Sequence, residues 1–150
     1  MADLPHAVTD PLSGLLGYQL RRASVVMMAD LAEVLAPLGL RPSESTTLLT
    51  IGANPTITQS ELGRHLGIKR ANMTPLTASL VARGLIDRTP VDGRSHGLRL
   101  TAAGAALAEE ARAAIGAHEQ RFRAALGGTA QAPLIAALAA IRAIDPDRGE

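Results

Sequence analysis

Residues 58–84 read TQSELGRHLGIKRANMTPLTASLVARG, and the reading of this stretch decides the fold. Thr58-Gln59-Ser60-Glu61 has the form of a capping box, in which the Thr58 hydroxyl and the Glu61 carboxylate each satisfy a backbone donor left unpaired at a helix start. A cap of this kind contributes about 1 kcal/mol. Leu62 and Leu66 then face inward and Gly67 ends the helix. Lys69 to Arg83 predicts a second helix with Met73, Leu76, Leu80 and Val81 on one face, terminated by Gly84. A short helix, a tight turn and a second helix make a helix-turn-helix.

The flanks extend this unit on both sides. Leu85–Thr89 and Gly97–Leu100 surround the turn Pro90-Val91-Asp92-Gly93 and predict a hairpin, a wing that follows the second helix. Upstream, Leu16, Leu20, Ala23, Met27, Leu31, Val34 and Leu38 recur every three or four residues and draw one stripe along a long helix from Leu12 to Leu38, closed by Pro37 and Gly39. Pro42 suits a first helical position and opens another helix to about Ile51, before a loop at Gly52-Ala53-Asn54-Pro55. Downstream, Thr101 caps a helix striped with Leu107, Ala111, Ile115, His118, Phe122 and Leu126. Gly127-Gly128 breaks it, and Thr129 begins a last helix carrying Leu134, Leu138 and Ile141.

The fold class is therefore mainly α with a small β wing, a winged helix-turn-helix flanked by N- and C-terminal dimerisation helices. Within one domain, residues 41–101 form the winged lobe, and residues 1–40 with 102–150 form the helical dimerisation region. The outer stripes have little of their own chain to cover them. They are rich in Ala, which lets backbones approach closely, and a two-fold pairing would bury them on both copies at once, so a homodimer is expected.

Composition narrows the function classes. The chain has 150 residues, 28 of them Ala and 22 Leu, a helix-favouring mixture, with no Cys. The lack of Cys excludes a thiolate nucleophile, a Cys-based zinc site and a thiol switch. A chain this long buries roughly two-thirds of its extended surface and needs no disulfide or structural metal. Without a basic, apolar leader or a spanning apolar run, a cytoplasmic protein with no membrane partner is expected. The formal net charge of +1 hides a division. Residues 58–101 carry +4, from seven basic and three acidic side chains, and the rest carries −3. A basic middle suits a polyphosphate partner and equally a solvated surface.

Here the residues resemble the MarR family of bacterial transcriptional regulators, over nearly the whole chain. The resemblance lies in Gln59-x-x-Leu62 with Leu66-Gly67-Ile68, in Leu80-x-x-x-Gly84-Leu85-Ile86-x-Arg88, and in Asp92-x-Arg94-Ser95 with Leu100-Thr101-x-x-Gly104, taken in that order and spacing. It implies a triangular homodimer that binds palindromic double-stranded DNA and releases it when a small ligand binds. Three positions depart from the family's habit. Lys69 stands where a capping Ser is frequent, Gly93 where an Arg often precedes the wing Arg, and Pro75 sits inside the second helix, where a slight bend is expected rather than a break.

A recognition helix reads base edges with the outward side chains of its first turns, here Lys69, Arg70, Asn72, Thr74 and Thr77. Arg70 can donate two bonds to guanine, Asn72 can pair with adenine, and Thr74 can touch a thymine methyl or a phosphate. Arg94 at the wing tip is the candidate for the minor groove, with Asp92 directing it. His96 and His65 are further phosphate candidates. The bland alternatives are a solvated helix face and a surface ion pair. With Tyr18 and Phe122 the only aromatic residues, stacking of single-stranded bases is disfavoured and duplex DNA remains. Steeply salt-dependent binding is expected, on half-sites about 10 base pairs apart.

The resemblance places an effector site where the first, second and fifth helices meet. Its candidates here are Tyr18, Arg21 and Arg22 facing Ser45, Thr46 and Thr47. Paired Arg residues suit a carboxylate or phosphates. Residues 16–23 also look like the first helix of members that sense aromatic acids or their CoA thioesters. The plain alternative is solvated Arg side chains and Ser and Thr hydroxyls bonded back to their own helix. His118 is expected to be a hydrogen-bonded interface histidine.

No phosphate-binding glycine loop, nucleophile elbow or helical metal spacing occurs, so neither an enzyme nor a cofactor is expected. A helical dimeric interaction module that has lost DNA binding stays open as the rival reading.

Overall fold

A computed structural model describes residues 9–90, 96–127 and 130–144. Helix α1 (Leu16–Leu35) starts one turn later than expected, because Asp10 Oδ1 accepts the Leu12 N–H at 2.9 Å and the Leu12 carbonyl accepts the Leu15 N–H at 2.9 Å, closing a turn over residues 12–15. A 3-10 turn (Ala36–Leu38) and Gly39, at φ 63°, close it. Helix α2 (Pro42–Ala53) opens with Pro42 at N1, and Glu44 accepts the Arg41 N–H at 2.8 Å.

Helix α3 (Gln59–Leu66) has the reciprocal cap read from its sequence. The Glu61 N–H donates to Thr58 Oγ1 at 3.3 Å, and Glu61 Oε2 accepts the Thr58 N–H at 2.8 Å. The Thr58 N–H and the Thr58 hydroxyl, which donates to Glu61 Oε2 at 2.7 Å, hold the Glu61 carboxyl below its ordinary range. Gly67, at φ 65°, makes the left-handed turn that a side chain would strain. Helix α4 (Arg70–Ala82) runs unbroken through Pro75, as expected.

The hairpin strands are β2 (Ile86–Pro90) and β3 (His96–Leu100). A strand the sequence did not announce, β1 (Ile57–Thr58), pairs with β3 through Ile57 opposite Leu98, giving the antiparallel order β1-β3-β2. Two residues carry no alternation pattern, and β1 is a strand only because β3 lies beside it. Helix α5 (Ala102–Leu126) is capped by Thr101, and α6 (Gln131–Arg142) follows.

The core joins the lobe to the helices. Leu35 of α1, Leu48 and Ile51 of α2, Leu62 of α3, Met73 and Leu80 of α4, Ile86 and Leu98 of the sheet and Ala111 of α5 form one buried cluster. Outside it, α1 is staked to α5. His118 Nδ1 lies 2.6 Å from Asp30 Oδ2, Arg121 also pairs with Asp30, and the His118 bond leads the effects that hold the Asp30 carboxyl below its usual range. His118 is thus bonded within its own chain.

Apolar side chains remain uncovered where dimerisation helices were expected. Leu15, Leu16, Val25 and Val26 in or beside α1, Leu126 at the end of α5, and Leu134, Ile135 and Ile141 of α6 are exposed, and no residue of α6 is buried. Among the described residues no single helix is long and apolar enough to cross a membrane.

Candidate nucleic-acid interface

The turn at Gly67 sets α4 across α3 and leaves the first turn of α4 facing outward. Lys69, at the N-cap, and Arg70, Asn72 and Thr74 are all exposed. Lys69 and Arg70 border an open groove of about 1000 Å³ whose walls also include Ser60 and Arg64 of α3, Arg88 of β2 and His96 of β3. Three separate elements therefore converge Arg side chains on one concavity.

Thr77 corrects the expectation. It is 0 % exposed, and its hydroxyl lies within 3.0 Å of both Gln59 Oε1 and the Met73 carbonyl, so it cannot reach a base. Position explains this. Thr77 stands four residues after Met73 and three before Leu80, both buried, and so shares their face. Ser60, Arg64 and Arg88 also line the groove without having been candidates from sequence, although the local charge excess already counts the two Arg. Asp92 and Arg94 lie outside the described residues, while His96 lines the groove and His65 is exposed.

The C-terminal end of α4, away from the groove, is tied to the helical layer. Glu44, 3 % exposed, receives Arg41 at 3.1 Å and Arg83 at 3.4 Å, while Arg83 also donates to the Gly39 carbonyl at 3.0 Å. Burial pushes the Glu44 carboxyl up, but the Arg41 hydrogen bonds and the two guanidinium charges outweigh it and hold the group below its ordinary range. The end of α4 is thereby clamped to the α1–α2 corner.

In the expected effector region, Arg22 donates to the Tyr18 hydroxyl at 3.0 Å, and the Arg21 and Arg22 guanidinium carbons lie 5.7 and 5.8 Å from the Tyr18 ring centre. These three come together. Ser45 and Thr46 do not join them. Ser45 is buried and donates to the Pro42 carbonyl at 2.8 Å, and Thr46 bonds the Pro42 and Ser43 carbonyls at 3.1 Å, so both hydroxyls turn back on α2. That is a second correction, with the physical cause that a helical Ser or Thr finds its own preceding carbonyls first. Thr47 differs. Its hydroxyl is buried and, among the described residues, has no hydrogen-bond partner.

The family model described as MarR family matches residues 38–95. The HTH-type transcriptional repressor Rv2887 of Mycobacterium tuberculosis is 36 % identical over 118 residues, covering 74 % of this chain and 81 % of its own. The chain belongs to the MarR family. Among solved structures, the transcriptional repressor CouR bound to a 23-mer DNA duplex matches with TM-score 0.85 and 37 % identity, over 91 % of this chain and 98 % of CouR. CouR bound to p-coumaroyl-CoA matches with TM-score 0.84 and 34 % identity, over 92 % and 99 %.

The family model covers helices α2 to α4 and strands β1 and β2 of this MarR-family transcriptional regulator, and β3 follows directly after it. The exposed end of α4 and the Arg-lined groove beside it lie among these elements.

Proposed function

We propose that this chain is a ligand-responsive repressor which binds palindromic duplex DNA as a homodimer. In this reading residues 41–101 are the DNA-binding lobe, and residues 1–40 and 102–150 the dimerisation region. The observation that carries it is the exposed, cationic start of α4 opening onto the groove shared with Arg64 and Arg88. Lys69, Arg70 and Asn72 enter the major groove, and the wing, with Arg94 directed by Asp92, follows the adjacent minor groove. Arg64, Arg88 and His96 hold the intervening phosphates, and contacts of that kind fix register without reading sequence. The uncovered apolar side chains of α1 and α6 support a two-fold pairing that spaces the two lobes.

The effector in this reading is an aromatic carboxylate or its CoA thioester. It is supported by CouR having been solved with p-coumaroyl-CoA, by the Tyr18, Arg21 and Arg22 cluster, and by the unpaired Thr47 hydroxyl on the neighbouring helix. Arg side chains suit phosphate and carboxylate oxygens, and the Tyr18 ring adds apolar area. Release requires only that the ligand prefer the conformation that does not bind DNA, and a coupling of about 1–3 kcal/mol loosens DNA roughly 5- to 150-fold.

The test is fluorescence anisotropy on duplexes from the intergenic region beside the gene, over a salt series, followed by titration of p-coumaroyl-CoA, free p-coumarate and CoA. Salt-dependent binding to an inverted repeat, reversed by one of these compounds, is expected. A stable dimer that ignores every such duplex at low salt refutes the DNA reading and favours a protein-interaction module.

A further inference from the structure

The first residue of α3, Gln59, reaches across to α4. Gln59 Nε2 donates to Thr74 Oγ1 at 3.1 Å, and Gln59 Oε1 accepts from the buried Thr77 hydroxyl at 3.0 Å. Thr77 shares that one proton with the Met73 carbonyl, also at 3.0 Å, in a bifurcated bond. The amide is thus a brace between an exposed Thr and an interior one, and the capping box at Thr58 fixes the backbone from which it projects.

The consequence falls on Thr74. Its hydroxyl has one proton and two lone pairs. The proton goes to the Arg70 carbonyl at 3.2 Å and one lone pair to Gln59. A Thr in a helix divides between two rotamers, because its hydroxyl can bond carbonyls of the preceding turn. A second partner on another helix selects one of them. The side chain then has no proton for a base edge, and what it can still present to one is its γ-methyl and a single lone pair.

We propose that Gln59 is a specificity-determining positioning residue, which locks Thr74 as a reader of the thymine C5-methyl group rather than as a hydrogen-bond donor. The inference rests on α4 entering the major groove, where thymine presents that methyl. Thr74 supplies the contact, and Gln59, at the wall of the same groove, acts through Thr74.

The experiment uses the full chain and a duplex it selects from a randomised pool. Each thymine of the selected half-site is replaced singly by deoxyuridine, which removes only the methyl. One thymine per half-site is expected to show a loss of about fourfold, the equivalent of about 0.8 kcal/mol for one buried carbon. Thr74→Val, which keeps a methyl, retains that penalty. Thr74→Ser, which lacks it, binds the thymine duplex about fourfold more weakly per half-site and no longer distinguishes deoxyuridine. Gln59→Ala, with its fold checked by circular dichroism, keeps salt-dependent binding and loses most of the penalty.

A Thr74→Ser protein that discriminates like the parent, or a Gln59→Ala protein with the full penalty, overturns the inference. So does a selected duplex with no thymine that responds. Failure to enrich any duplex refutes the DNA reading itself, which keeps the two failures distinct.

Discussion

Substituting Gly104→Ala tests how the wing is joined to the helical layer. Gly104 is buried in the first turn of α5, and a Cβ there would lie 1.9 Å from the Leu85 carbonyl oxygen and 2.9 Å from its carbon. Reaching the 3.0 Å below which Cβ contacts are essentially never seen needs a shift of about 1.1 Å between α5 and the start of the wing. Both partners are backbone, so no side chain can swing aside. The junction also carries two hydrogen bonds, from the Thr101 N–H to the Leu85 carbonyl at 3.1 Å and from the Thr101 hydroxyl to the Gly84 carbonyl at 2.6 Å. Losing both costs about 0.5–1.5 kcal/mol each, and overpacking adds about 1–3 kcal/mol, so a loss of about 4 kcal/mol is expected. For a chain of this size that lowers Tm by about 8–16 °C. Thermal melts by circular dichroism at fixed protein concentration read it directly. Gly116 is the control on the same helix. An added Cβ meets nothing within 4 Å there, and Gly116→Ala is expected to gain about 0.5–1 kcal/mol. A Gly104→Ala protein melting within about 2 °C of the parent would refute the account of the junction.

Glu44 has a folded pKa below the ordinary carboxylate value of 4.5, so its stabilisation is fully present above that pH and is lost as pH falls through the folded value. Urea titrations of the parent and Glu44→Gln should therefore differ at neutral pH and converge in acid below about pH 4.5; a gap that widens on acidification contradicts the clamp. Arg88→Ala and Arg64→Ala should each weaken DNA binding without changing the preferred sequence, and should lower the slope of log K against log salt by about 1 for each protomer's phosphate contact. A changed consensus would mean that these residues touch bases. Arg94→Ala should weaken binding most on operators with A·T-rich flanks, where the minor groove is narrow, and equal losses on G·C-rich flanks would remove the wing from base or shape reading.

The helix-turn-helix was legible because its signals are local. A capping box, a glycine at a left-handed turn and an inward stripe each act within one helical turn, and the structure reproduces them at Thr58, Gly67 and the Met73–Leu76–Leu80 face, whereas Val81, expected on that face, is exposed. The stripe also contained the information that places Thr77 inside, since Met73, Leu76, Thr77 and Leu80 follow the three-and-four spacing of one buried face. Reading Thr77 as polar, and hence exposed, obscured it. Likewise the hydroxyls of Ser45 and Thr46 found their own helix, which the sequence reading had held as its plain alternative.

Sequence alone determined which segments are helical, which caps open α3 and α5, and that positive charge gathers in the middle of the chain. Those properties depend on backbone bonds and side-chain spacing within a few residues. Tertiary structure alone decided that β1 exists, that Arg64, Arg70 and Arg88 share one groove, that Arg83 of α4 meets Glu44 of α2, and that Gln59 braces Thr74. Each of these joins residues of separate elements, and no local periodicity encodes such a meeting. It follows from how the buried faces pack, which sets the angles between elements and thus the polar groups that come within reach.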